Sequence, residues 1–138
     1  MRLQIDGKDT LVYGMNWGYS PIGTNYSYSF WSKPDTFIER VLTREMGLLR
    51  DMGVNAIRLF SDVPPRWITW IHDHYGIYTS VNHLMGRYGF DIGGAFVANI
   101  DYNNPVHRKA ILADLKTKVE RYKGTRGLLF WLLGNENN

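Results

Sequence analysis

Four short apolar runs alternate with three amphipathic helical stretches along this chain, and that order restricts the fold more than any other feature. The first run, Leu11 to Asn16, lacks the clean alternation of a half-solvated strand and suits a strand covered on both faces. From Pro34-Asp35 onward, Phe37, Ile38, Val41, Leu42, Leu48, Leu49 and Met52 recur at spacings of three and four. This predicts a helix capped by Ser32 or Asp35 and closed by Gly53. Val54 to Phe60 reads as the second strand. Pro64-Pro65 opens a helix from Arg66 to Tyr75, closed by Gly76, and Ile77 to Asn82 reads as the third strand. Asn104-Pro105 caps and starts a third helix to about Lys123, with Ile111, Leu115, Val119 and Tyr122 inward and Gly124 beyond its end. Leu128 to Leu133 is a continuous apolar fourth strand. Ahead of all these, Leu3 to Thr10 predicts a small hairpin turning at Asp6-Gly7. Two long loops, Trp17 to Ser32 and His83 to Asn104, complete the chain's order.

Strict alternation of this kind means parallel strands joined by right-handed crossovers. Two α/β architectures satisfy it, an open doubly wound sheet and part of a (β/α)8 barrel. The nucleotide-binding form of the open sheet carries a glycine-rich turn after its first strand, and Asn16 to Pro21 is not such a turn. In both architectures the working face lies at the carboxyl ends of the strands.

Composition removes several function classes. A chain that is 44% hydrophobic and 21% charged can bury a core, which excludes a disordered segment. The absence of cysteine excludes disulfides, thiolate metal sites and cysteine nucleophiles. No apolar run approaches the roughly 20 residues of a membrane span. The formal charge of +3 is small. Arg108, Lys109, Lys116, Lys118, Arg121, Lys123 and Arg126 read as the solvated face of the third helix, and no nucleic-acid motif accompanies them. His72 and His74 diverge on a helix and lack a third ligand, so no metal site is expected. Trp67, Trp70 and Ile71 read as core.

The strand ends are polar and aromatic together. Asn16, Trp17 and a loop with Tyr19, Tyr26, Tyr28 and Trp31 follow the first strand; Arg58, Ser61 and Asp62 close the second. Asn82 and His83 close the third, and Asn135 and Glu136 the fourth. Flat aromatic faces beside amide, guanidinium and imidazole groups suit a sugar ring, with its apolar C–H patches and its hydroxyls. Of the four glutamates, Glu39, Glu45 and Glu120 fall on helices, and Glu136 alone follows a buried strand. Partial desolvation there is expected to raise its pKa and keep a proton on it near neutrality, so that it can act as a general acid toward a leaving oxygen.

Trp131-Leu132-Leu133-Gly134-Asn135-Glu136-Asn137 resembles the acid/base motif of glycoside hydrolase family 2 and of the wider clan of retaining glycosidases built on (β/α)8 barrels. Tyr13-Gly14-Met15-Asn16-Trp17, Asp51 to Arg58 and Tyr75-Gly76-Ile77-Tyr78 resemble the starts of that clan's first three barrel strands, in order and spacing. The resemblance implies Glu136 as general acid/base and Asn135 as the contact to the sugar's 2-hydroxyl. It implies Arg58 as support for the catalytic carboxylates and His83 as a sugar contact. Trp17 and Asn16 would help position the sugar, and Asp62 would contact it or cap a loop. Neither metal nor organic cofactor is needed.

On this basis residues 1–138 are expected to form one unit, strands one to four of a (β/α)8 barrel, whose full length is typically about 250 residues. A retaining enzyme also needs a nucleophilic carboxylate about 5–5.5 Å from the first. The clan carries it after the seventh strand, so this half alone is expected to be inactive, and its two open sheet edges predict self-association. Two other readings stand beside this one. One is a half-barrel that binds carbohydrate without cleaving it. The other is an open-sheet domain for a non-sugar ligand, which requires helices on both faces of the sheet.

Overall fold

A computed structural model describes residues 3–25, 27–60 and 62–136. Strands β1 (Gln4–Ile5) and β2 (Lys8–Asp9) form the expected hairpin. Its turn needs positive φ at both central positions, and Asp6 and Gly7 adopt 51° and 75°. Strands β3 (Gly14–Asn16), β4 (Ala56–Leu59), β5 (Tyr78–His83) and β8 (Leu128–Leu133) make a four-stranded parallel sheet in that order. Helices α1 (Asp35–Asp51), α2 (Pro65–Tyr75) and α3 (Pro105–Tyr122) connect successive strands. The protein is therefore an α/β fold whose parallel strands lie side by side in chain order.

The helix ends show why these boundaries hold. Gly76 closes α2 at φ 67°, and the Asn104 side chain accepts from the Val106 amide at 2.9 Å to start α3. Helix α1 differs from expectation, since Pro34 is its N-cap and no side chain caps it. Asp35 is occupied by Arg66 at 2.6 Å, and Ser32 Oγ donates back to the Ser29 carbonyl. Its buried stripe is Ile38, Val41, Leu42, Met46 and Leu49, whereas Leu48 and Met52 are exposed. Leu48 sits about 100° around the helix from Leu49, outside the face that meets the sheet.

Three other expectations change. Strand β8, expected to be buried, has no fully buried residue, and its Phe130 and Leu133 are exposed. All of β3 is exposed rather than covered on both faces, because among the described residues it pairs with β4 alone. Leu11 and Tyr13 lie outside the ladder, held by the Asn55 side chain, which donates to the Leu11 carbonyl and accepts from the Tyr13 amide, both at 2.8 Å. The stretch read as one loop from His83 to Asn104 contains a second hairpin, β6 (Phe90–Ile92) and β7 (Ala95–Val97), turning at Gly93-Gly94 with φ 64° and 85°.

One apolar core joins the helices to one sheet face. Ile38, Leu42 and Met46 of α1, Trp67, Ile68 and Ile71 of α2, and Tyr122 of α3 cluster with Ile57, Leu59 and Val81. Since side chains alternate across a strand, Asn16, Arg58, Ser80 and Asn82 belong to the opposite face. Among the described residues no helix is long and apolar enough to cross a membrane.

Candidate active site

Polar side chains at the carboxyl ends of β4, β5 and β8 are linked by one run of hydrogen bonds. Arg58 donates from Nε and Nη2 to Asn82 Oδ1 at 3.1 and 2.7 Å, and from Nη2 to Asn135 Oδ1 at 3.0 Å. Asn135 Nδ2 donates to the Tyr88 hydroxyl at 2.7 Å, and that hydroxyl donates to Glu136 Oε2 at 2.9 Å. Arg87 Nε donates to the Glu136 carbonyl at 2.7 Å. Gly134, at φ 102°, turns the chain out of β8, and its amide donates to the His83 carbonyl at 2.7 Å. Glu136 itself sits at φ 54°, a conformation non-glycine residues rarely adopt and which these neighbours hold in place. The Glu136 carboxyl is exposed rather than partly desolvated as expected, because β8 is itself not buried; one of its oxygens is fixed, beside an amide whose orientation a guanidinium sets.

The remaining expected site residues divide. Asn16 is in register with Arg58, and the Trp17 amide donates to the Arg58 carbonyl at 3.0 Å, which places the first loop next to this network. Trp17 is itself core, packed edge-on to Phe30 with centroids 5.8 Å apart. Asp62 lies beyond β4 and pairs with Lys118 of α3 at 3.2 Å. His83 does not join the network. Its buried ring faces α3, with Nε2 2.9 Å from Asp114 and Nδ1 accepting from the Met85 amide. Because Nδ1 accepts, Nε2 carries the proton and donates to Asp114. The ring thus anchors the start of the loop that carries Arg87 and Tyr88. Tyr26, Ser61 and Asn137 lie outside the described residues.

No family model matches this chain, and no curated protein or solved structure matches it significantly.

Among the described residues no three His, Asp or Glu side chains converge as a metal site would require. His72 and His74 are engaged separately, the first near Asp73 and the second stacked on Trp70 at 4.2 Å. Sequence reasoning passed over Tyr88 and Arg87. Their only signal was a short Gly86-Arg87-Tyr88-Gly89 segment whose glycines, at φ 77° and 91°, permit a sharp turn. It also gave Asn82 no role beyond its place at a strand end.

The Asp62 side of the site carries a pH effect. Burial pushes the Tyr122 hydroxyl from its ordinary 10.0 up to about 12, with the Asp62 carboxylate adding to the rise and Arg121 opposing it. The same hydroxyl donates to the Val63 carbonyl at 2.7 Å. A group that keeps its proton longer when folded contributes stability that is fully present below its unfolded pKa. Stability should therefore fall as pH rises from about 10 toward about 12, by about 1.4 kcal/mol per unit at most. Urea unfolding across that window should show the decline, and Tyr122→Phe should flatten it. An unchanged slope in that variant would assign the decline to other groups.

Proposed function

We propose that this chain is the first half of a (β/α)8 barrel of the retaining glycosidase type and that Glu136 is its general acid/base. The observation that carries the reading is the run from Arg58 through Asn135 and Tyr88 to Glu136 at the carboxyl edge of the sheet. Two features support it. The strands lie in chain order with the helices sharing one core, the arrangement a barrel requires, whereas a doubly wound sheet reverses direction at a switch point. The positive-φ Glu136 backbone is held at its carbonyl by Arg87, next to Tyr88, which fixes its carboxyl.

In the reaction, Glu136 protonates the departing glycosidic oxygen while a carboxylate of the other half-barrel attacks the anomeric carbon. The covalent glycosyl–enzyme so formed is then released by water or a sugar hydroxyl, which Glu136 deprotonates. Arg58, itself held by Asn82, orients Asn135 toward the sugar's hydroxyls. Comparing Glu136→Gln with the parent enzyme on glycosides of poor and good leaving groups tests this role. Equal activity of the two proteins on a poor leaving group would sink it.

The same reading makes the edges of the sheet adhesive. Gly14–Asn16 is an exposed parallel edge beside exposed Leu11, Val12 and Tyr13, and Leu133 is exposed on β8 at the other side. Unpaired edges of this kind recruit further strands. Sedimentation of the 138-residue chain should show concentration-dependent association. A monomer at every concentration would mean that the half-barrel seals its own edges.

A further inference from the structure

The first loop builds a cleft of about 550 Å³ beside the sheet edge, and the proposed acid/base chemistry does not use it. Its base is buried Trp17 and Phe30. Above them Tyr19, Tyr28 and Trp31 are half-buried, with Trp31 4.7 Å from Phe30 and Tyr19 6.3 Å from Tyr28. Exposed Phe60 forms the side toward Arg58, which stacks on it at 4.4 Å. Polar groups interleave these rings, namely Asn16, Ser20, Ser29 and Asp62. The volume falls in the range of clefts that enclose small ligands.

The mixture narrows the ligand. A purely apolar molecule would strip water from Asn16, Ser20 and Asp62 without replacing their hydrogen bonds, a cost that works against binding. Asp62 is already paired with Lys118 at 3.2 Å, so among the described residues the rim offers no unpaired cation to draw an anionic ligand. A neutral sugar satisfies both conditions, since its C–H faces lie against aromatic rings and its hydroxyls reach the polar rim. Position narrows it further. Asn16 of β3 pairs with Arg58 of β4, and β5 and β8 follow before Glu136 is reached. Three strand spacings are about 14 Å, farther than one sugar ring extends.

We propose that the cleft is a second sugar subsite, so that the ligand is a neutral oligosaccharide of three or more residues running from Trp31 and Tyr28 past Phe60 to Glu136. This inference rests on the carbohydrate reading of the Glu136 site and specifies its substrate class. Isothermal titration of the 138-residue chain with gluco-, manno-, galacto- and xylo-oligosaccharides of one to six units tests it. In at least one series affinity should rise steeply between two and four units. Trp31→Ala should remove about tenfold of the affinity for tetrasaccharides and leave mono- and disaccharide binding unchanged. Because Trp31 also packs on Phe30 and Trp17, Tyr28→Ala provides a second variant farther from the buried base. It should show the same length-selective loss at an unchanged melting temperature. Affinity independent of length, or equal losses for short and long sugars in both variants, would overturn the subsite while sparing the Glu136 reading. If no sugar of any length binds, the subsite falls, whereas the Glu136 reading is decided separately by the effect of Glu136→Gln on glycoside turnover.

Discussion

With Glu136 as the proposed general acid of a complete barrel, Glu136→Gln should lower turnover of a glycoside with a poor leaving group by about 10²- to 10⁴-fold, the range that a positioned general acid supplies. Glutamine keeps the size of the side chain and can still meet the Tyr88 hydroxyl 2.9 Å away, so geometry and sugar binding should survive. It has no proton to give to a departing alkoxide. An activated aryl glycoside departs without protonation, so formation of the glycosyl–enzyme should be nearly unimpaired and only its hydrolysis slowed. Such a substrate should show a burst of phenol release followed by slow turnover. Parallel losses on good and poor leaving groups, without a burst, would mean that Glu136 binds substrate rather than transferring a proton. Tyr88→Phe complements this test. It removes the hydroxyl that fixes Glu136 Oε2 and receives the Asn135 amide, yet leaves the carboxyl present, so its effect should be a fraction of that of Glu136→Gln.

Gly127→Ala should destabilise the fold by about 3–5 kcal/mol, above the usual cost of a single substitution. Gly127 lies at φ 88°, where a side chain costs about 1–2 kcal/mol on its own. A Cβ there would overlap His72 Cβ and lie 3.1 Å from the Ile68 carbonyl oxygen, both on α2. That helix cannot retreat, because Ile68 and Ile71 are fully buried in the core. Nor can the strand shift easily, since the Gly127 carbonyl accepts from the Thr79 amide at 2.8 Å where β8 joins β5. Gly124→Ala is the control. Its φ of 75° is similar, but nothing lies within 4 Å of the added methyl. It should cost only the backbone term, and the difference in urea midpoint between the two variants isolates the collision. Equal midpoints would show that the β8–α2 junction yields.

Much of this arrangement is legible in the sequence because it rests on local rules. Gly76 at a helix end, Asn104 before Pro105 and Asp6-Gly7 between short extended runs each specify backbone geometry by their own chemistry. Arg58, Asn135 and Glu136 could be placed at one edge because parallel β/α units send every strand's carboxyl end to the same side. The second hairpin is equally local, since Gly93-Gly94 is flanked by Phe90, Ile92, Ala95 and Val97, but the many glycines around it make the whole stretch read as loop.

The sequence by itself determined the order of strands and helices, the parallel sense of the sheet and the place of Glu136 at its carboxyl edge, because propensity, capping and crossover direction act over short separations. Only the tertiary structure decided which neighbour serves which. Adjacent residues in a strand face opposite ways, so Asn82 joins Arg58 while His83 turns to Asp114, and a one-residue slip would exchange them. The sheet is irregular between Thr79 and Val81 in β5, and no periodicity in the sequence marks that shift. Tyr88 reaches Glu136 across a separation of 48 residues, a contact set by the pairing of β5 with β8 rather than by any motif.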